Sequence, residues 1–268
     1  MKNIAAVCAI MALLFAPSVS NARWGTDFTG ESWKMDGKEF LTSMHSGEAY
    51  AADPSNSTSM TGKVTQDKIG GAASFFVEGN SRFRVGISAG YGTMPEVSGK
   101  FRAWGSTWSD NMNLNNKITY IPVNLYLKYT SKNGKFSLFG GGGGDYVMAS
   151  TDYNDALGSP AYVEKATFTQ KKMIPHIQAG YELFLAKWIS LNLGAKYLFS
   201  AVLDNMTGKL TGGGVPAPGK SRMIMSNGLY GEEFGVRNTS QPLASGERPF
   251  KYDLSGLRVN VGFRIYFN

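Results

Sequence analysis

The last twelve residues, Leu257 to Asn268, leave the chain few ways to fold. Leu257, Val259, Val261, Phe263, Ile265 and Phe267 are apolar, and Arg258, Asn260, Gly262, Arg264 and Tyr266 lie between them. A period of two is a strand, because successive side chains point to opposite faces. About ten residues is also what a tilted strand needs to cross the hydrocarbon of a bilayer. One face of this strand suits lipid, and the other, with two arginines, suits water.

The same period recurs upstream. Ile189, Leu191, Leu193, Ala195, Tyr197 and Phe199 alternate with Ser190, Asn192, Gly194 and Lys196. A tight connection at Leu185 to Lys187 joins them to Ile177, Ala179, Tyr181 and Leu183, which alternate with His176, Gln178, Gly180 and Glu182. Ile121, Val123, Leu125, Leu127 and Tyr129 mark another strand, ended by an Asn133-Gly134 hairpin signal. Phe136, Leu138, Tyr146 and Met148 then share a face, with Ser137, Phe139 and Asp145 opposite. Phe83, Val85, Ile87, Ala89 and Tyr91 form a strand reached from Ala72 to Val77 through Gly79-Asn80-Ser81. With the C-terminal strand these make seven.

Between the hairpins the connections are long: Pro95 to Asn116, Ser150 to Gln170, and Asp204 to Asp253. Short turns at one end and long loops at the other predict an all-β, antiparallel up-and-down transmembrane barrel with periplasmic turns and extracellular loops. An even strand number requires an eighth strand before Lys68. The stretch from Arg23 to Val64 shows no clean alternation, although Trp24, Phe28, Trp33 and Phe40 could supply lipid-facing anchors. Eight strands are expected, or ten if Ser221 to Ser226 and Leu229 to Arg237 add a hairpin. Gly212-Gly213-Gly214, Pro216 and Pro218 predict mobility for much of that last loop.

The N-terminus fits export. Lys2 precedes an apolar run from Ile4 to Ala16, too short to span, then Pro17 and small residues to Ala22. That pattern predicts a cleaved signal peptide over 1–22. The rest divides into an N-terminal segment at 23–66, with an ill-defined first strand and a loop, and the barrel at 67–268. Cys8, the only cysteine, falls in the leader, so no disulfide or cysteine-ligated metal is expected beyond it. No segment after residue 22 approaches 18 consecutive apolar residues, which excludes helical spans. The formal charge of +7 is scattered without a Lys/Arg block, which argues against nucleic acid as a partner.

The segments ITYIPVNLYLKYT, FSLFGGGGGDY, HIQAGYELFL and ISLNLGAKYLFS are similar to consecutive strands of small bacterial outer-membrane barrels, the OmpW-like proteins and opacity-type surface antigens. The resemblance covers roughly residues 68–268. It implies an outer-membrane fold, and roles that range over narrow channels, adhesins and structural proteins, since fold does not fix function.

Alternation places Arg84, Lys128, Asp145, Glu182, Lys196, Arg258 and Arg264 in the lumen, with Glu78. One reading is a self-neutralising polar core that fills an eight-stranded barrel. The other is a basic constriction selecting anions or the head of an amphipathic solute. Lumenal glycines (Gly70, Gly86, Gly90, Gly180, Gly194 and Gly262) make room for large neighbours in either case. Gly140 to Gly144 lacks the Lys-Ser/Thr of a phosphate loop and sits in a strand pattern.

Catalysis by a barrel hydrolase needs a histidine beside a serine. Neither His176, with Gln178 two residues on, nor the adjacent pair His45-Ser46, which a strand would send to opposite faces, meets that need. No catalytic or metal residue and no cofactor is therefore expected. Phe101, Trp104 and Trp108, in a long loop, are candidates for an exposed recognition patch. The reading is a non-enzymatic envelope protein whose extracellular loops supply any binding. The alternative is a narrow porin-like channel, and a third class is a membrane-embedded lipid-modifying enzyme. Expected partners are outer-membrane lipid, the periplasmic export and barrel-assembly machinery, and an extracellular ligand or small solute.

Overall fold

The structure, a computed structural model, describes residues 22–32, 59–66, 69–104, 109–158, 163–212, 219–228 and 231–267, with Glu39 and Thr42 between the first two segments. The expected leader (but for Ala22), Trp33, Phe40, His45-Ser46, Trp108, Gly213-Gly214, Pro216 and Pro218 lie outside the described residues.

Eight strands, each antiparallel to the next, make the ring. They are β1 (Arg23–Ser32), β2 (Ile69–Glu78), β3 (Phe83–Thr93), β4 (Ser109–Thr130), β5 (Phe136–Leu157), β6 (Val163–Ala186), β7 (Ile189–Leu198) and β8 (Gly256–Phe267). The C-terminal β8 also pairs with β1, from Trp24 opposite Phe267 to Ser32 opposite Val259, and the ring closes. Closure leaves no exposed backbone edge, so every span can satisfy its N–H and C=O groups between strands.

The missing first strand is thus Arg23–Ser32, and the barrel begins at residue 23 rather than at 67. Its alternation is hard to see because Trp24 and Phe28 share their outward face with Thr26 and Gly30. Only the inward face, Gly25, Asp27, Thr29 and Glu31, runs as expected. The three turns are short: Gly79–Arg82, Ser131–Lys135 and Lys187-Trp188. Gly134 takes the left-handed φ of +66° that an Asn-Gly hairpin needs, and its N–H donates to the Ser131 carbonyl at 3.0 Å.

At the opposite end the structure departs from the sequence reading. Strands β4, β5 and β6 run 22, 22 and 24 residues, twice the length a span requires. Most of Ser150 to Gln170, read as a loop, is therefore strand, because its polar residues continue the alternation of the spans below. Val97–Trp104 pairs with the outer half of β4, and Ser59–Gln66 adds beyond it. On the β6 side come Thr207–Gly208 and Thr211–Gly212, then the hairpin Ser221–Gly228/Gly231–Asn238. That hairpin exists but stays outside the ring, so the barrel has eight strands and not ten. Six residues of the last loop, Met206, Met223, Met225, Phe250, Tyr252 and Leu254, are buried.

The outside of the ring is apolar. Phe28, Phe75, Val85, Leu125, Leu193, Val261 and Phe263 all point outward and are exposed, as every second residue of each strand must be. Aromatic rings gather toward the two rims. Trp24 lies 5.8 Å from Phe75 and 5.0 Å from Phe267 at the turn end, where the Trp188 carbonyl accepts from the Tyr266 N–H at 2.9 Å. Tyr197 and Phe199 meet at 5.0 Å at the other end.

Candidate functional site: the barrel interior

Inside, the ring holds two ion clusters stacked along its axis. The one at the turn end is centred on Lys128, fully buried on β4. Its ammonium bridges Glu78 of β2 at 3.1 Å and Glu182 of β6, and donates to the Tyr266 hydroxyl of β8 at 2.7 Å. Arg84 meets Glu78 at 3.1 Å and donates to Thr130 at 2.8 Å. Arg264 meets Asp27 of β1 at 2.9 Å. The Tyr126 hydroxyl donates to Glu78 at 3.2 Å, and Ser190 donates to Glu182. Below them Tyr266 packs on Phe76 and Phe184, and the Arg23 guanidinium lies 4.0 Å from its ring centre, a cation–π contact that floors the lumen.

The second cluster sits higher. Lys196 of β7 bridges Glu31 of β1 at 3.1 Å and Asp145 of β5 at 3.2 Å. Asp145 also faces His176 Nδ1 at 3.3 Å, while His176 Nε2 is 2.7 Å from the Asn124 side-chain oxygen. Asn124 donates in turn to Ser88 at 2.9 Å. The Arg258 guanidinium donates to the Leu254 carbonyl and lies in the field of Glu31 and Asp145. Histidine here is thus one member of a polar chain, with no serine hydroxyl in the contacts described for its ring.

A polar cavity of about 60 Å³ separates the clusters, lined among others by Asp27, Glu31, Asn124, Asn192, Lys196 and Arg264. It has room for a few water molecules and enough polar partners to hold them. Above the upper cluster the interior turns apolar. Met94, just past β3, and Val97, Leu114, Ile118, Val147, Phe168, Ile174 and Leu198 on strands pack with Leu203, Met223, Met225, Phe250 and Leu254 from the last loop. The mouth is therefore filled by a hydrophobic cap.

All seven charged residues singled out in the sequence lie in this interior, each 5% exposed or less. The structure brings Arg84, Lys128, Glu182 and Arg264 together below the cavity, and Asp145, Lys196 and Arg258 above it. The aromatic trio fares differently. Phe101 is 7% exposed and belongs to the cap, because on Val97–Trp104 it points inward with Val97 and Gly99. It cannot be part of an exposed patch. Trp104 is half-buried, with the Arg102 guanidinium 5.4 Å from its ring.

Sequence reasoning missed Asp27 and Glu31. The signal was available in the charges: five lumen cations (Arg84, Lys128, Lys196, Arg258, Arg264) faced three carboxylates (Glu78, Asp145, Glu182). Unpaired buried charge is costly, so the unseen strand had to bring two more acids. Strand β1 brings Asp27 and Glu31.

A closed, eight-stranded antiparallel barrel with an apolar exterior and a charge-neutral interior defines the class by its own strand register. No protein-family model matches the chain, and no curated protein matches it. Among solved structures it is similar to the outer membrane protein OprG from Pseudomonas aeruginosa, at 14% identity and a TM-score of 0.36, over 92% of this chain and 94% of that one. It is also similar to the outer membrane protease OmpT from Escherichia coli, at 10% identity and a TM-score of 0.38, over 92% and 95%.

Proposed function

We propose that this is an integral protein of the bacterial outer membrane, non-enzymatic, with a sealed barrel as anchor and the outer sheet as its working part. One observation carries the reading: a continuous apolar exterior encloses an interior in which lumen cations are matched by carboxylates and the mouth is packed with apolar side chains. A water-soluble barrel has no use for that exterior, and an open channel none for that core. Export by a cleaved signal peptide, insertion by the barrel-assembly machinery and membership of the OmpW-like or opacity-type group belong to the same proposal. A second reading, a narrow channel for small or amphipathic solutes, draws on the polar cavity between the clusters.

Planar-bilayer recording separates them. The refolded chain, residues 23–268, should insert without discrete conductance steps. Steps whose anion preference disappears in Arg258→Gln/Arg264→Gln would favour the channel. The membrane reading has its own check, since a folded barrel should run differently on a gel unheated than boiled.

A further inference from the structure

Above the membrane-facing belt, the outward face of the long strands becomes polar and basic. Cross-strand register sets its rows. Lys63, Lys100, Asn113, Asn154 and Lys165 are successive neighbours across five strands, and Thr61, Arg102 and Asn111 form the row beside them. Lys63, Lys100, Arg102 and Lys165 are exposed. Lys63 and Lys100 stand directly opposite one another, an arrangement that is unfavourable between like charges. Among the described residues none of Lys63, Lys100 and Arg102 has an ion-pair partner. Two exposed acids on this face have partners of their own: Glu96 faces Lys117 at 3.9 Å, and Asp152 accepts from Thr167 at 2.9 Å.

We infer that this face binds the anionic sugar head of lipopolysaccharide in the surrounding leaflet. The inference rests on the outer-membrane reading. Charge complementarity is the first ground: a bridging phosphate between Lys63 and Lys100 would relieve their repulsion, and Asn113, Thr61 and Asn111 offer hydrogen bonds to hydroxyls. Trp104 beside Arg102 adds a ring edge at the end of the row.

Continuity is the second ground. On β4 the same outward parity runs from Tyr129 through Leu125 and Ile121 to Lys117 and Asn113. At about 3.4 Å per residue and a tilt of about 40°, the Lys63–Lys100 row stands roughly 20 Å above Ile121. A lipid with a large sugar head, packed against the lower part of these strands, therefore presents its sugars to this row.

The test uses the refolded chain in phosphatidylcholine vesicles, with added lipopolysaccharide as the probe. Intact lipopolysaccharide should bind, and Lys63→Gln/Lys100→Gln/Arg102→Gln should weaken binding at least tenfold. Lipopolysaccharide stripped of phosphate should bind the parent chain as poorly as the intact lipid binds the triple variant. The charge-matched control Lys132→Gln/Lys135→Gln/Lys187→Gln, altered only in the turns, should bind like the parent. Equal binding by parent and triple variant, or by phosphorylated and stripped lipid, overturns the proposal. Heparin binding as tightly as lipopolysaccharide also overturns it, in favour of a soluble polyanion. Unchanged heat-modifiability on the gel shows that the variant still folds. Failure of the parent to insert into vesicles would overturn the membrane reading first and this inference with it.

Discussion

Lys128 has no exposed surface, yet it carries a charge held by Glu78 and Glu182. Replacing it with Met takes from Glu182 its ion-pair partner and leaves Glu78 to Arg84 and Arg264. Breaking a buried network in this way costs about 3–5 kcal/mol, whereas removing both partners costs far less. Lys128→Met should therefore lower the urea midpoint of folding, read by tryptophan fluorescence, and adding Glu182→Gln should recover part of the loss. Space matters as much as charge. A Cβ on Gly86 would stand 2.3 Å from the ring of Tyr126, its cross-strand neighbour, and Gly92 has the same relation to Tyr120 at 2.4 Å. Gly86→Ala should cost about 1–3 kcal/mol by overpacking, a cost that Tyr126→Ala in the same chain should remove. A cost that persists there would mean that the backbone, and not the ring, limits the position.

At the scale of elements, the outer sheet behaves as a unit distinct from the spans. Phe250 is 1% exposed in the cap and stacks edge-on against Phe234 and Tyr252 at 5.7 and 5.0 Å. Phe250→Ala should cost about 3–5 kcal/mol, and hydrogen exchange should accelerate in Ser221–Gly228 while the spans stay protected. At the far tip Asp155 and Glu164 are directly opposed across β5 and β6. Burial and the facing Asp155 raise the Glu164 carboxyl above its ordinary value. The folded chain thus holds this proton to higher pH than the unfolded chain does. The tip is least stable above the raised value and gains stability as acid protonates the group. Glu164→Gln should slow hydrogen exchange in the outer half of β6, Val163 to Gln170, at neutral pH and make little difference below the usual carboxylate range. A benefit that is the same at every pH would exclude the carboxyl as its source.

For the whole molecule, the distribution of apolar surface decides what surrounds it. Trp24 and Trp188 point outward at the turn end, 46% and 57% exposed. With either kept as the sole tryptophan, brominated lipid should quench fluorescence, more strongly when bromine lies near the headgroup than at the chain end. Absence of quenching would remove the membrane from the account. Deleting residues 205–250 should open the mouth without producing conductance, because both ion clusters remain below it.

Alternation is a local property, fixed by the pleat of the backbone, and the sequence by itself determined the membrane-crossing parts of the seven strands after β1, their inward charges and their apolar outer face. It failed at β1, where two aromatics among Thr and Gly do not make a pattern, and in the polar outer halves of β4, β5 and β6, where both faces are mixed. Which charge meets which was decided only by the tertiary structure. Asp27 joins Arg264 across 237 positions and Lys128 joins Tyr266 across 138, and such partners are set by ring closure and register rather than by spacing along the chain. The cap has the same origin: the methionines and aromatics of the last loop read as loop residues until closure gave them a mouth to fill.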